Sequence, residues 1–484
     1  MLWTFLAFKN KDDGSDVARY SDAMPNTRTG QSPARGILGS GFEQSALLRT
    51  TESAQSRGPQ SWWCGPLNVE QLALRSVALV ADAIESLDAQ LLRGTFGPVT
   101  VRAEQVAAAF GSTAHLRING NRVKGFAQHS GFYRTMDGWV RTHANYPHHE
   151  HRLLQALGAQ GRVSLADALQ KLTSIQAQEL IVDAGGIAAK VQSRKQWLGS
   201  AAGKAAQDGH WAQFSHHHGT GQSVWEPNAE GYGPLSGLKV LDMTRVIAGP
   251  TATKTLAAFG AQVLRVDGPR FPELTEQHID TGFSKRSTVL DISNPADKSV
   301  MDDLLAETDV LICGYRPGSL GRFGLGITQL QEKYPNMIIA ELNAWGYDGP
   351  SSARRGFDSI VQAACGIADA YRSEDGTPGA LPVQALDHAT GYGLAAAIIS
   401  MAQARVEHRI VGHVRFSLAR TAEALFAFGT AVEPPEELKL PELGHKLSPY
   451  GNLEYALPPF EVKGQSLDFP AAPPRYGEDH PLWL

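Results

Sequence analysis

Between Leu238 and Leu342 short apolar runs alternate with amphipathic stretches, and that alternation leaves little choice of architecture. Leu238-Lys239-Val240-Leu241-Asp242-Met243, Gln262 to Asp267, Thr288 to Ile292, Asp309 to Cys313 and Met337 to Leu342 each have the length and branched content of a buried strand. Helical patterns fill the gaps, from Thr251 to Phe259 (closed by Gly260) and from Ala296 to Thr308. Strand–helix units at this spacing predict a mainly parallel, doubly wound α/β sheet. Ligands of such sheets lie beyond the carboxyl ends of the strands. Those ends fall here at Thr244 to Pro250, Asp267 to Phe271 and Gly314-Tyr315-Arg316-Pro317-Gly318.

Asp387 stands just ahead of the small-residue run Leu394 to Ala404, which reads as a tightly packed helix. A carboxylate at the start of a helix is favoured by free backbone N–H groups and by the helix dipole. A lone carboxylate there is a candidate nucleophile, and an ordinary Asp N-cap is the plain alternative.

Composition narrows the classes. The 484 residues suffice for two or three domains, and 42% apolar with 19% charged residues fits an ordinary globular protein. A formal charge of −5 argues against a nucleic-acid partner and gives no membrane-surface signal. Three cysteines (Cys64, Cys313, Cys365) without CxxC spacing suit a reducing compartment. The apolar start, Met1 to Phe8, lacks a basic leader and is too short for a membrane span, so a cytoplasmic location is expected.

Five regions are expected: a flexible lead-in over 1–60, a mixed α+β segment over 61–210, a Gly-rich linker over 211–235, the sheet domain over 236–430, and a Pro-rich tail over 431–484. Within 61–210, Leu72 to Leu92 and Ala103 to Phe110 read as helices and Val99 to Arg102 as a strand. Gly131 to Val140 reads as two strands about a turn, and Leu165 to Leu180 as a helix capped by Ser164. Lys285 and Arg286, Arg316 and Arg322 put cations where an anionic ligand would lie, with solvated surface charge as the alternative. No GxGxxG or GxxxxGK[ST] follows the first strand, which argues against a dinucleotide or a P-loop nucleotide.

Gly237 to Asp242, Ala248-Gly249-Pro250, Leu256 to Val263, Tyr315-Arg316-Pro317-Gly318, Gly356-Phe357-Asp358 with Gln362, and Asp387 with Thr390-Gly391 together resemble the family III CoA-transferases. The resemblance covers residues 237 to about 430, in the family's order. It implies a Rossmann-like catalytic domain plus a smaller α+β domain. It also implies transfer of coenzyme A from an acyl-CoA thioester to a carboxylic acid, with the thioester as co-substrate, no tightly bound cofactor and no metal. Asp387 then matches the acyl-accepting aspartate, and Val246, Ile247 and Ala248 the loop along the CoA thiol arm. Lys285 and Arg286 match a basic loop near the nucleotide phosphates, and Arg322 a further CoA contact. Phe357 stands where some members carry tyrosine, Ser284 where a glycine commonly precedes Lys-Arg, and the glycine-rich loop of some members is not visible beyond Gly125 and Gly131.

Leu72 to Phe110 echoes Leu394 to Phe428, with Leu74 near the slot of Asp387. Phe132 to Trp139, Leu153 to Gly158 and Trp197 resemble the family's small domain, which here precedes the catalytic half. A fused, rearranged pair of units is expected, acting as a homodimer or an intramolecular pseudo-dimer. His143, His148, His149 and His151 fit no zinc spacing and read as solvated or packing residues. His388 beside Asp387 opens a second reading, an acyl-CoA racemase or isomerase using both. A non-catalytic CoA-binding homologue is the third.

Overall fold

The structure, a computed structural model, describes residues 37–39, 41–42, 56–92, 94–159, 164–220, 225–226, 231–431 and 434–484. Most of the expected lead-in falls outside these residues. Among the described residues, seven strands build the main sheet: β1 (Gln213–His218), β2 (Lys239–Met243), β3 (Gln262–Asp267), β4 (Lys285–Val289), β5 (Val310–Cys313), β6 (Ile338–Asn343) and β7 (Ile410–Ser417). Their order is β4-β3-β2-β5-β6-β7-β1. Strands β2 to β7 run parallel, and β1 joins β7 antiparallel at the edge.

Side chains alternate across each strand, and here both faces are apolar. Val240, Val263, Val310, Ile312 and Ile338 enter one core. Leu241, Leu264, Leu311 and Ile339 enter a second, with Met301, Leu304 and Leu305 of the helix Pro295–Ala306. The chain steps outward from β2 to β4, then crosses back to β5. The strand order therefore reverses between β2 and β5, and a crevice opens beyond their carboxyl ends.

The helix Ala385–His408 is buried from Ala385 to Arg405. Its alanines and glycines let it lie between the helices Ala248–Ala258 and Val69–Leu91. A Cβ at Gly391 would sit 2.5 Å from the Ala248 carbonyl oxygen and 2.7 Å from the Thr251 Cβ. Gly391→Ala is thus expected to cost about 1–3 kcal/mol by overpacking. Urea denaturation measures this, and an unchanged midpoint would show that the helices have room to spare.

Several segments depart from expectation. The strand expected over Thr288 to Ile292 is β4, which opens three residues earlier on Lys285, because Asp242 neutralises the lysine inside the sheet. Residues 213–218, expected as part of a linker, form β1; as an edge strand it tolerates exposed histidines. The helix expected over Leu165 to Leu180 is broken into Leu165–Leu169 and Ser174–Asp183, because Thr173 and Gln176 make a capping box for the second piece. The expected tail holds an antiparallel pair, Leu443–Ser448 and Gly451–Ala456, and the latter pairs with Arg117–Ile118. Phe460–Val462 likewise pairs with Val99–Arg102. Among the described residues no helix is long and apolar enough to cross a membrane.

Candidate active site

Asp387 is the third residue of the helix Ala385–His408 and is 6% exposed. Its backbone N–H, one of the helix's unpaired donors, gives a hydrogen bond of 3.0 Å to Asp358 Oδ2. Asp358 opens the helix Asp358–Cys365 and accepts at Oδ1 from the Gln362 side chain, whose own oxygen accepts from the Leu381 N–H at 2.9 Å. Among the described residues nothing hydrogen-bonds the Asp387 carboxyl itself. Burial, then the negative charge of Asp358, holds that carboxyl well above the usual range. Burial also lifts Asp358, to about 6, against the opposing hydrogen bonds from Gln362 and from the Asp387 and Leu386 N–H groups.

Two cavities meet at Asp387, Val246 and Phe357. The larger, about 250 Å³, is walled by Tyr146, His149, Arg245, Tyr315 and Leu418, among others. It runs through His148, Tyr315, Arg316 and Arg355 into a further space of about 260 Å³ that adds Arg152. The smaller, about 140 Å³, is lined by Lys124, Phe126, His143, Ile247 and Gln277, and includes Gly125. Arg152 and Arg316 donate only to the Gly185 and Ala353 carbonyls, and neither they nor Arg355 has an acidic partner among the described residues. Burial, then the charges of Arg316 and Arg152, lower the pKa of Arg355, so three unneutralised cations crowd one space.

The expected residues divide. Val246, Ile247 and Ala248 lie beside Asp387, brought there by the close approach at Gly391. No side chain caps the helix Ala248–Ala258, so the Ala248 and Gly249 N–H groups stay available as donors. Lys285 and Arg286 are not brought to these cavities. Lys285 is buried, its amine bonded to Thr253 Oγ1 at 2.6 Å, the Pro250 carbonyl at 3.0 Å and Asp242 Oδ2 at 3.3 Å. Arg286 donates to the His480 and Leu482 carbonyls at the opposite, amino-terminal end of the strands. Arg322 lies in the turn Gly321–Phe323 over the Phe323 ring, outside both cavities. His388 points away from them as well. Its Nδ1 is 3.4 Å from Thr251 Oγ1, and its ring packs on Phe110.

Most of the residues missed from the sequence come from the first half, namely Lys124, Phe126, His143, Tyr146, His148, His149 and Arg152, and Arg355 comes from the second. Burial pushes His143 down to about 3, His148 to about 4 and His149 to about 2, so all three are neutral imidazoles near pH 7. His143 stacks on Phe357 with ring centres 3.9 Å apart. The unusual density of histidine from 143 to 151 was the available signal.

Comparison with known proteins reports on the same half of the chain. The sequence pattern of CoA-transferase family III matches residues 235–462. The chain carries a family III CoA-transferase domain. The chain is 31% identical over 207 residues to the probable fatty acyl-CoA transferase Rv3272 of Mycobacterium tuberculosis, covering 40% of this chain and 52% of that protein. It is 31% identical over 198 residues to the human succinyl-CoA:glutarate CoA-transferase (38% and 45%). To the formyl-CoA:oxalate CoA-transferase of Bradyrhizobium diazoefficiens it is 33% identical over 178 residues (34% and 42%). The chain spans about half the length of the curated relatives it matches. A crystal structure of a CAIB/BAIF family protein from Brucella suis overlays with a TM-score of 0.37 at 26% identity, covering 40% of this chain and 56% of that one.

Proposed function

We propose that the chain transfers coenzyme A from an acyl-CoA thioester to a carboxylic acid, with Asp387 as acyl acceptor in a doubly wound, CoA-binding sheet domain. The observation that carries this reading is a buried carboxyl without a hydrogen-bond partner among the described residues, at the meeting point of two cavities, one of which runs on to three unneutralised arginines. The larger cavity takes the pantetheine arm along Val246 and Ala248, and the smaller, with Ile247 in its wall, takes the acyl group or the acceptor acid. Arg152, Arg316 and Arg355 meet the phosphates, in place of Lys285, Arg286 and Arg322. Because Lys124 to His149 wall both cavities, the first half completes the site within one chain, as an intramolecular pseudo-dimer.

An Asp387 carboxylate oxygen attacks the thioester carbonyl, the C–S bond breaks, and a mixed anhydride and CoA thiolate result. The thiolate attacks the aspartyl carbonyl and expels the first acid as its carboxylate, leaving an aspartyl-CoA thioester. The incoming carboxylate attacks that thioester and frees the thiolate again. The thiolate then takes the new acyl group and restores Asp387. No net proton moves. Holding the partners together contributes roughly 7–11 kcal/mol, and the Ala248 and Gly249 N–H groups face the developing oxyanion.

Hydroxylamine added to protein incubated with acetyl-CoA is expected to leave a hydroxamate at residue 387, read by peptide mass spectrometry. Modification elsewhere, or none, sinks the proposal. The same incubation in deuterated water tests the racemase alternative, which has lost its second group because His388 lies outside the cavities.

The neighbouring carboxyl gives a pH test. The nucleophile must be ionised, and the Asp358 charge raises its pKa, so Asp358→Asn is expected to move the acid limb of the pH–rate profile to lower pH. The effect on stability has the opposite sense. A carboxyl raised in the folded state, from 3.8 to about 6 at Asp358, contributes stability below the lower value that is lost as pH rises through the higher one. Wild type should therefore lose stability across that window, and Asp358→Asn should lose less. An acid limb that stays in place would show that the two carboxyls do not interact.

A further inference from the structure

Val246 lies at the junction of the two cavities in a conformation that a β-branched residue rarely adopts, with φ at +69°. Strained non-glycine backbone persists only where its surroundings over-determine it, and it concentrates at functional sites. Here the restraint is visible. The Val246 N–H donates to Glu273 Oε2 at 3.0 Å. Glu273 is buried, and the same oxygen accepts from Arg265 at 3.0 Å. Its other oxygen accepts from the Leu274 N–H at 3.0 Å and from the hydroxyl of Tyr146. Tyr146 belongs to the first half of the chain, walls the larger cavity and lies under the Arg245 guanidinium at 5.1 Å. One carboxylate therefore ties the strained turn to the wall facing it.

We infer that Glu273 is a positioning residue: it holds the Val246 turn so that Val246 to Ala248 meets the thioester opposite Asp387, and the Tyr146 hydroxyl locks the first half of the chain onto the same carboxylate. The inference rests on the acyl-transfer reading of Asp387. Glu273 lines neither cavity, and Tyr146 lines only the larger one. Their effect falls on the geometry of the chemical step and leaves ground-state affinity largely alone.

The test uses the full chain, with acetyl-CoA and carbon-13 acetate as probes, reading label exchange by kcat and KM, and CoA binding by calorimetry. Glu273→Gln is expected to lower kcat by about 10–100-fold with KM and CoA affinity within about threefold, the scale of a misplacement near 1 Å. Tyr146→Phe, which removes one hydroxyl, is expected to lower kcat by about 3–10-fold and serves if the first variant does not fold. Glycine accepts a left-handed φ without help, so Val246→Gly added to Glu273→Gln is expected to recover part of the lost kcat. Unchanged kcat in both single variants overturns the inference. So does a loss shared equally by kcat, CoA affinity and thermal midpoint, or a double variant no faster than Glu273→Gln. If wild type exchanges no label, the acyl-transfer reading itself has failed. Hydrogen exchange at the Val246 amide then decides the latch alone: faster exchange in Glu273→Gln supports it, and an unchanged rate removes it.

Discussion

Asp387→Asn is expected to lower acyl exchange by roughly 10⁴-fold or more, the scale on which a covalent nucleophile acts, while the protein stays folded and still binds CoA. The amide has the carboxylate's shape but cannot form an anhydride. The substitution also breaks no side-chain hydrogen bond, since the carboxyl has none among the described residues. It also spares the fold the cost of ionising a buried carboxyl beside Asp358, so the thermal midpoint near pH 7 should hold or rise. Label exchange between acetyl-CoA and acetate measures the rate, and calorimetry with CoA measures binding. An Asn variant that turns over normally would remove Asp387 from the chemistry. A variant that loses rate and CoA affinity together would make it a binding residue only.

Lys285→Met is expected to cost about 3–5 kcal/mol of stability, because it strands a buried carboxylate. Asp242 is wholly enclosed, and Lys285 shares its Oδ2 with the Thr253 hydroxyl. Thr244 serves Oδ1 through its N–H at 2.9 Å and its hydroxyl at 2.5 Å, which leaves the lysine as the nearest compensating charge. Burial has already pushed the amine down to about 8. Denaturant unfolding separates this structural role from the phosphate contact that the resemblance suggests. A raised KM for acyl-CoA with unchanged stability would favour the phosphate contact.

Lys285 also shows where sequence periodicity stops. Strands such as β3 and β5 were legible because branched residues fill them. β4 opens on Lys-Arg-Ser, and its charge is cancelled by an aspartate on β2, two strands away. β1 was hidden by its histidines, and the strands after Leu443 by a composition that suggests a tail. Two of the latter, Gly451–Ala456 and Phe460–Val462, have partners more than 300 positions earlier in the chain, beyond the reach of any local pattern. The site divides in the same way. Asp387 and the Val246–Ala248 loop stand out because a helix start and a strand end are local features. Tyr146 and His148 come from another part of the chain, and packing alone sets them in the cavity of Asp387, with Arg152 in the space beyond.

The pairing of Arg117–Ile118 with Gly451–Ala456 and of Val99–Arg102 with Phe460–Val462 bears on biosynthesis. These early strands leave the ribosome with an open edge and must wait for more than 300 further residues before it is covered. During translation that edge therefore stays unpaired until the last strands of the chain emerge.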